Sequence, residues 1–269
     1  MKITDQEFNR LVDYMYKKFG INLKQKRVLI EGRLNLMLTQ RGYTSYGAYI
    51  DAVMKDKTGQ EDSTLVSKLT TNFTYFLREE GHYDFMVKNI MPEWKQKTGG
   101  DIKIWSAASS SGEEPYSIAM VVSNFFGYGK PPARISIQAS DISENVLSQA
   151  RAGVYSADKI AKLPQGWSTR YFKKLPDGQF QVTDAIKAMV NYKYFNLNDN
   201  VGWQKNMFDV LFCRNVMIYF DQPTKQVLTQ KLYDALKPGG YMFIGMSETL
   251  VNLQTNFVYV KPSVYMKKV

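Results

Sequence analysis

The 269-residue chain has one cysteine, Cys213, and one histidine, His82. A single thiol excludes an intrachain disulfide, and the two residues are too few for a Cys/His metal cluster. Cys213 lies in the apolar run DVLFCRN, the setting of a buried, inert thiol. A Ser-His-Asp triad would have to recruit His82, which falls on a polar helical stretch. No apolar run approaches the length of a membrane span, and the opening MKITDQEFNR has no secretion-signal core. A cytoplasmic protein without membrane insertion is therefore expected, and a monomer. Internal repeats and low-complexity tracts are missing as well. What is present is a globular composition, 44% apolar and 14% aromatic. Against 25 acids stand 35 lysines and arginines, a net charge of +10 that favours an anionic partner without choosing among nucleic acid, lipid and acidic protein.

Residues 1–75 read as helices. Leu11, Tyr14, Met15 and Phe19 form one apolar face, and Gly20 follows as a C-cap. A second helix is expected over Gln25–Gln40, with Leu29, Ile30, Leu34, Met37 and Leu38 inward; a third runs near Ser45–Lys55, and Ser63 is the expected cap of a fourth. Residues 76–98 read as a linker helix. From Gly99 the pattern changes to short β-rich runs at 102–107, 133–141, 190–196, 208–215 and 241–248, with helical segments at 113–126, 143–151 and 222–236 between them. That alternation predicts an α/β fold with a doubly wound, mostly parallel sheet over 99–269. Lys237-Pro238-Gly239-Gly240 reads as a helix stop and a tight turn. NFVYVKPSVYMKKV reads as an antiparallel hairpin around Pro262 at the sheet edge. The alternation breaks at about 152–189, where Pro176-Asp177-Gly178 marks a turn between two short strands of a small β insertion.

The stretch WSAASSSGEEPYSIAM, residues 105–120, passes from a strand through a small-residue loop into a helix. That layout often cradles phosphate. Here no Gly-Lys-Ser/Thr follows, Gly112 is the loop's only glycine, and Glu113 and Glu114 would repel a pyrophosphate. An adenosine ligand with cationic groups and no phosphate suits such a loop, and S-adenosylmethionine is one. The two acids suit a helix dipole equally well with no ligand at all. Asp141 ends the second strand, where an acid can take ribose hydroxyls or cap the next helix.

Six ordered blocks carry a resemblance: TTNFTYFLREEGHY (70–83), WSAASSSGEEPYSIAM (105–120), ASDIS (139–143), FNLND (195–199), FCRNVMIYFD (212–221) and LKPGGYMFIGMSETL (236–250). In order and spacing they resemble the CheR-type chemotaxis receptor methyltransferases, over nearly the whole chain. The resemblance implies a class I S-adenosylmethionine-dependent methyltransferase fold with a small all-helical N-terminal domain that faces the receptor. It implies methyl transfer from S-adenosylmethionine to glutamate carboxylates on the cytoplasmic helices of chemoreceptors, leaving S-adenosylhomocysteine. By block, Asn72, Thr74 and Arg78 would line the cofactor and substrate end. Glu113 and Asp141 would hold the cofactor's charged and ribose parts. Asn196, Leu197, Arg214 and Asn215 would contact the adenine side and backbone. Tyr219 would stand near the transferring methyl, and Arg78 would steer the glutamate carboxylate, these two being the expected catalytic residues. Two departures stand out. Ala108-Ser109-Ser110-Ser111-Gly112 replaces the usual Gly or Cys before Ser-Thr-Gly, and the insertion lacks the Gly-x-Gly of members that bind a receptor tail.

A nucleic-acid methyltransferase would share this sheet and explain the charge, but Arg214–Tyr219 holds no proline where such enzymes grip a flipped base. A non-catalytic receptor-binding module is the other reading. No nucleic acid partner is expected. Between Lys17 and Arg41 the basic residues Lys17, Lys18, Lys24, Lys26, Arg27, Arg33 and Arg41 face a single acid, Glu31. Lys26, Arg33 and Arg41 are expected to form an exposed ridge that steers the enzyme onto an acidic helical bundle and stands clear of the cofactor cleft.

Overall fold

The protein is described from a computed structural model that defines residues 1–96, 100–127, 134–200, 202 and 204–269. Gly99 and Ala133, which belong to expected boundaries, lie outside them. Four helices open the chain: α1 Asp5–Phe19, α2 Arg27–Gln40, α3 Tyr46–Lys55 and α4 Gln60–Leu69. The first turn of α1 is closed by a capping box between Thr4 and Glu7, and Gly20 ends the helix at φ 73°, a conformation that glycine adopts without cost. A linker follows as α5 Gly81–Phe85, a π-helical turn Met86–Ile90 and α6 Met91–Trp94. Pro92 sits at the head of α6 and has no N–H with which to continue the i→i−4 ladder.

The remainder alternates: β1 Asp101–Ser106, α7 Glu113–Phe125, β2 Arg134–Asp141 and α8 Glu144–Ala152. Then comes the insertion, with β3 Val154–Tyr155, α9 Ala157–Ile160, α10 Trp167–Tyr171, β4 Phe172–Lys174, β5 Phe180–Val182 and α11 Asp184–Lys187. The chain closes with β6 Val190–Tyr194, β7 Phe208–Cys213, a 3₁₀ turn Met217–Tyr219, α12 Gln222–Ala235, β8 Leu236–Ile244, β9 Phe257–Lys261 and β10 Val264–Lys267. The main sheet has the order β6-β2-β1-β7-β8-β10-β9. Its first five strands are parallel, and β10 runs antiparallel to both β8 and β9. The chain winds outward from β1 to β6 and then returns to β7 on the other side of β1. Such a reversal leaves a crevice at the strand carboxyl ends. The insertion is a three-stranded antiparallel sheet, β3-β5-β4, and its β4–β5 turn is the Pro-Asp-Gly segment, where Leu175 accepts from Gly178 N at 3.0 Å.

Alternation along the central strands feeds two apolar cores. Trp105, Leu211, Cys213, Met242 and Ile244 join one, together with α12 and the buried faces of α1–α4. Ile104, Val210, Phe212 and Phe243 join the other, with the linker, α7 and the insertion. The N-terminal helices therefore share a core with one face of the sheet. Backbone bonds reinforce that join: Asn22 N donates to Tyr219 O at 2.8 Å, and Ile21 bridges Phe220. Among the described residues no helix is long and apolar enough to cross a membrane.

Two local expectations are corrected, and a third is made more specific. Ser63 does not begin a helix. The carboxylate of Asp56 takes the Glu61 N–H at 2.8 Å to open α4, and Ser63 lies buried inside that helix. There its hydroxyl accepts the Asn145 N–H at 3.3 Å in the first turn of α8. Lys237-Pro238-Gly239-Gly240 does not stop α12, which ends at Ala235; the four residues form the irregular start of β8, where the register with β7 shifts between Phe208 and Val210. His82 does lie on a helix, α5, among polar neighbours in sequence, but its side chain faces inward. It is 1% exposed, with its ring 5.2 Å from that of Phe243 and its Nε2 2.6 Å from Ser263 Oγ.

Burial, and secondarily the nearby charge of Arg214, lowers the His82 pKa from 6.5 to about 4. The unfolded chain therefore takes up a proton near pH 6.5 that the folded chain refuses until about pH 4. Stability due to this group is intact above pH 6.5 and is lost as pH falls towards 4, by on the order of 3 kcal/mol. Denaturant melts of His82→Asn against the native protein should show a flatter pH dependence in that window. Parallel curves would assign the acid sensitivity to other groups.

Candidate active site

Most segments that reach the crevice leave a strand carboxyl end or the stretch that joins the N-terminal helices to the sheet. Residues 107–112 follow β1, Asp141 ends β2, residues 195–197 follow β6, residues 214–219 follow β7, and residues 70–78 cross in front. The chain is bent sharply here. Leu77, Glu79, Ser110 and Asn215 all have φ between 48° and 59°, a region costly for side chains other than glycine. Three of these bends are tied down by a side chain. Leu77 N donates to Ser117 Oγ at 2.8 Å, Ser110 N to Asp141 at 2.9 Å, and Asn215 N to Glu248 at 2.9 Å. Gly112 turns the loop into α7 at φ 97°. A Cβ there would lie 2.8 Å from Tyr192 Oη and 2.9 Å from Tyr155 Oη.

Beneath the cleft lies Arg214, whose side chain is 1% exposed. It donates to Glu79 Oε2 at 3.1 Å, to Glu114 Oε2 at 2.8 Å and to the carbonyl of Arg78. Burial opposes the guanidinium charge, yet Glu114, Tyr83 and Glu79 outweigh it, and the proton is held more firmly than usual. Burial also works against Glu79, but the charge of Arg214 and the Met246 N–H pull its pKa below the ordinary value. One cation thus faces two carboxylates, and the floor of the cleft keeps an excess negative charge. Asp141 adds to it. Burial raises its pKa, offset in part by the N–H groups of Ser110 and Ser143, one on each carboxylate oxygen. Asp141 lines the cleft, and a carboxylate has further lone pairs with which to accept from hydroxyl donors.

The cleft brings together Asn72, Thr74, Arg78, Asp141, Asn196, Leu197, Arg214, Asn215 and Tyr219. Tyr219 Oη accepts from Thr71 N at 2.8 Å and donates to Thr71 O at 3.2 Å. Asn196 is oriented by bonds to Lys18 O (2.8 Å) and Asp199 (2.9 Å). Glu113 is the exception. Its side chain is wholly buried behind the loop, bound to Lys159 at 2.5 Å and to the Ser111 hydroxyl at 2.7 Å. The acid in the cleft is Glu114. One helical step turns a side chain by about 100°, so adjacent glutamates cannot share a direction. α7 is buried on nearly every side, which deprives its sequence of the phase that would have told the two apart. Phe19, Ile21 and Val66, contributed by the N-terminal part of the chain, also line the cleft. Nothing in their local sequence separates them from other core residues.

The expected basic ridge is not a free surface. Arg41 is paired through both terminal nitrogens with Glu61. Arg33 donates to Thr70 O at 2.6 Å and to Thr71 Oγ1 at 3.0 Å, and both threonines line the cleft. Arg33 therefore braces the wall that holds Tyr219, and it does not stand clear of the site. Lys26, exposed just ahead of α2, is the one of the three without such a tie among the described residues.

A doubly wound sheet with its cleft at the switch point and an acid closing β2 is the architecture of class I S-adenosylmethionine-dependent methyltransferases. The residues suit that cofactor: Glu114 for its cationic amino-acid end, Asp141 for its ribose, and apolar Leu197 and Phe220 beside them. The chain belongs to the CheR methyltransferase family, since residues 72–266 match its SAM binding domain and residues 6–70 its all-alpha domain. It is 40% identical to a chemotaxis protein methyltransferase of Borreliella burgdorferi, over 99% of this chain and 96% of that protein. Identity to the chemotaxis protein methyltransferase of Escherichia coli K12 is 34%, over 98% and 92% of the two chains. Chemotaxis protein methyltransferase 2 of Vibrio cholerae is also 34% identical, over 95% and 89%.

Two outcomes test this geometry. Asp141→Asn and Glu114→Gln should each weaken S-adenosylhomocysteine binding by about 1–3 kcal/mol in calorimetry, the scale of a charged hydrogen bond. Unchanged affinity would remove that acid from the site. Gly112→Ala should lower both cofactor affinity and melting temperature, because strain and the collision with two tyrosines act together; a silent substitution would mean that the loop has room to relax.

Proposed function

We propose that this methyltransferase esterifies glutamate side chains on the cytoplasmic helical region of chemoreceptors. The observation that carries this reading is a contrast between two arginines of the cleft. Arg214 is saturated by Glu79 and Glu114. Arg78, nearer the rim, donates to the Phe73 carbonyl at 2.8 Å and lies over the rings of Phe73 and Tyr75, and no carboxylate among the described residues pairs with it. A planar guanidinium with donors to spare suits an incoming carboxylate.

A glutamate side chain is already ionised at neutral pH, so its attack needs no general base. The site is consistent with that economy: His82 is buried elsewhere, and the Tyr219 hydroxyl is engaged with Thr71. The bound cofactor would supply an electrophilic methyl on a sulfonium. The protein's share is alignment. Arg78 steers the carboxylate, Tyr219 and Asn72 wall the approach, and Phe73 and Ile218, 68% and 54% exposed, offer apolar surface that a docked helix would cover. Holding reactants in attack geometry supplies several kcal/mol. A grip on the carboxylate as tight as that on Glu114 would stabilise the ground state instead. The nucleic-acid reading loses support, because Lys18, Arg27 and Arg41, part of the basic cluster, are paired with Asp62, Asp5 and Glu61.

The test is transfer of labelled methyl from S-adenosylmethionine to receptor-bearing membranes. The label should be lost as methanol in mild base, as an ester demands; base-stable label would point to another acceptor atom. Arg78→Ala should lower turnover about 10–100-fold, the equivalent of a charged hydrogen bond, with a smaller effect on cofactor affinity. Wild-type turnover in that variant would end the steering role.

A further inference from the structure

The insertion reaches back to the cofactor loop. Tyr155 of β3 donates through its hydroxyl to Ser111 O at 2.7 Å. Lys159 of α9 binds Glu113 Oε1 at 2.5 Å. On the loop's other flank the rings of Tyr155 and Phe172 pack edge-on against Phe76, with centroids 4.9 and 5.5 Å away, and Phe76 belongs to the segment that carries Arg78. The insertion thus touches both walls of the cleft without lining it.

The Lys159–Glu113 pair is asymmetric. The carboxylate side chain is fully buried and the ammonium side chain is 40% exposed. Losing the lysine would leave a fully buried carboxylate with its charge unpaired and only the Ser111 hydroxyl bond kept, the costly half of a broken buried pair. Glu113 is the first residue of α7, and Glu114 is the next. A Glu113 side chain driven out towards water must turn that first helical step, and Glu114 and the Ser110–Asp141 bond turn with it.

We propose that Lys159 is a positioning residue for the cofactor: from the insertion, it keeps Glu113 folded behind the loop so that Glu114 alone faces the cleft. Lys159 acts on affinity through the loop and touches neither cofactor nor substrate. The insertion is on this account a structural part of the cofactor site, whatever else its surface meets.

The experiment is calorimetric titration of the full-length protein with S-adenosylhomocysteine, alongside thermal melts, in four variants. Lys159→Met should weaken binding at least tenfold. Lys159→Arg, which keeps the charge, should stay within threefold of the native protein. Glu113→Gln should also stay within threefold, because its lysine partner reaches water. The double variant Glu113→Gln/Lys159→Met should recover most of the affinity lost in Lys159→Met, since a neutral amide can remain buried on Ser111. A purely structural role for the lysine would not be rescued by removing the acid. Native affinity in Lys159→Met overturns the proposal, as does a double variant as weak as Lys159→Met. If Lys159→Met does not fold, the double variant decides alone: native-like affinity supports the assignment, and a folded but weak binder refutes it.

Discussion

Arg214 is the group on which the cleft depends. It follows β7, reaches under the linker to Glu79, and crosses to Glu114 on the first turn of α7. Three segments far apart in the chain are thereby held at one point. The arrangement does not exist for stability, since apolar residues of equal volume would serve as well or better there. It sets charge. With one cation against two acids, and with Asp141 nearby, the cleft is short of positive charge, and a ligand that carries it meets fixed, oriented partners. The positive-φ bends at Glu79 and Asn215 belong to the same assembly, because Glu79 accepts from the Asn215 side chain and from Met246 N. Backbone strain is tolerated where such bonds over-determine it.

The fold was legible where periodicity is strong. The amphipathic face of α1 and the β-rich runs of β1, β2 and β7 report directly on burial, and their order implies the parallel sheet. The hairpin of β9 and β10 followed from Pro262. Legibility failed where tertiary partners decide. Ser63 has the chemistry of a cap, but the helix it caps is α8, from a different part of the fold. His82 lies among polar neighbours in sequence and under an apolar strand in space. Motif blocks singled out nine cleft residues that the structure brings together, because each sits at a strand end or in a short loop whose position the topology dictates. They failed at Glu113, where two identical neighbouring side chains differ only in helical phase.

The same distinction explains the basic ridge. Charge read along a sequence has no counter-ions, and an arginine looks free until its partner is found. Arg41 meets Glu61, 20 residues away, and Arg33 of α2 meets the Thr70 carbonyl and the Thr71 hydroxyl just beyond α4. The N-terminal helices are therefore built into the cleft as well as forming their own domain. Together with Ile21 after α1, they contribute Phe19 and Val66 to the cleft, and they share a core with one face of the sheet. A partner that docks on these helices presses on the wall of the cofactor site.

That coupling bears on how one cleft serves two ligands of opposite charge. The acids at the floor favour a cationic ligand, yet the same acids repel an incoming carboxylate through whatever medium separates them. Position resolves the conflict. Glu79 and Glu114 are screened by Arg214 and lie deep, while Arg78 stands nearer the rim with no carboxylate partner among the described residues. A cationic ligand seated on Glu114 offsets part of the excess negative charge, and Arg78 at the rim then meets a carboxylate with less opposition from below. The electrostatics therefore favour an order of events in which cofactor binds first and the acidic substrate second. That order follows from the charges and burial of named side chains, with no moving part required.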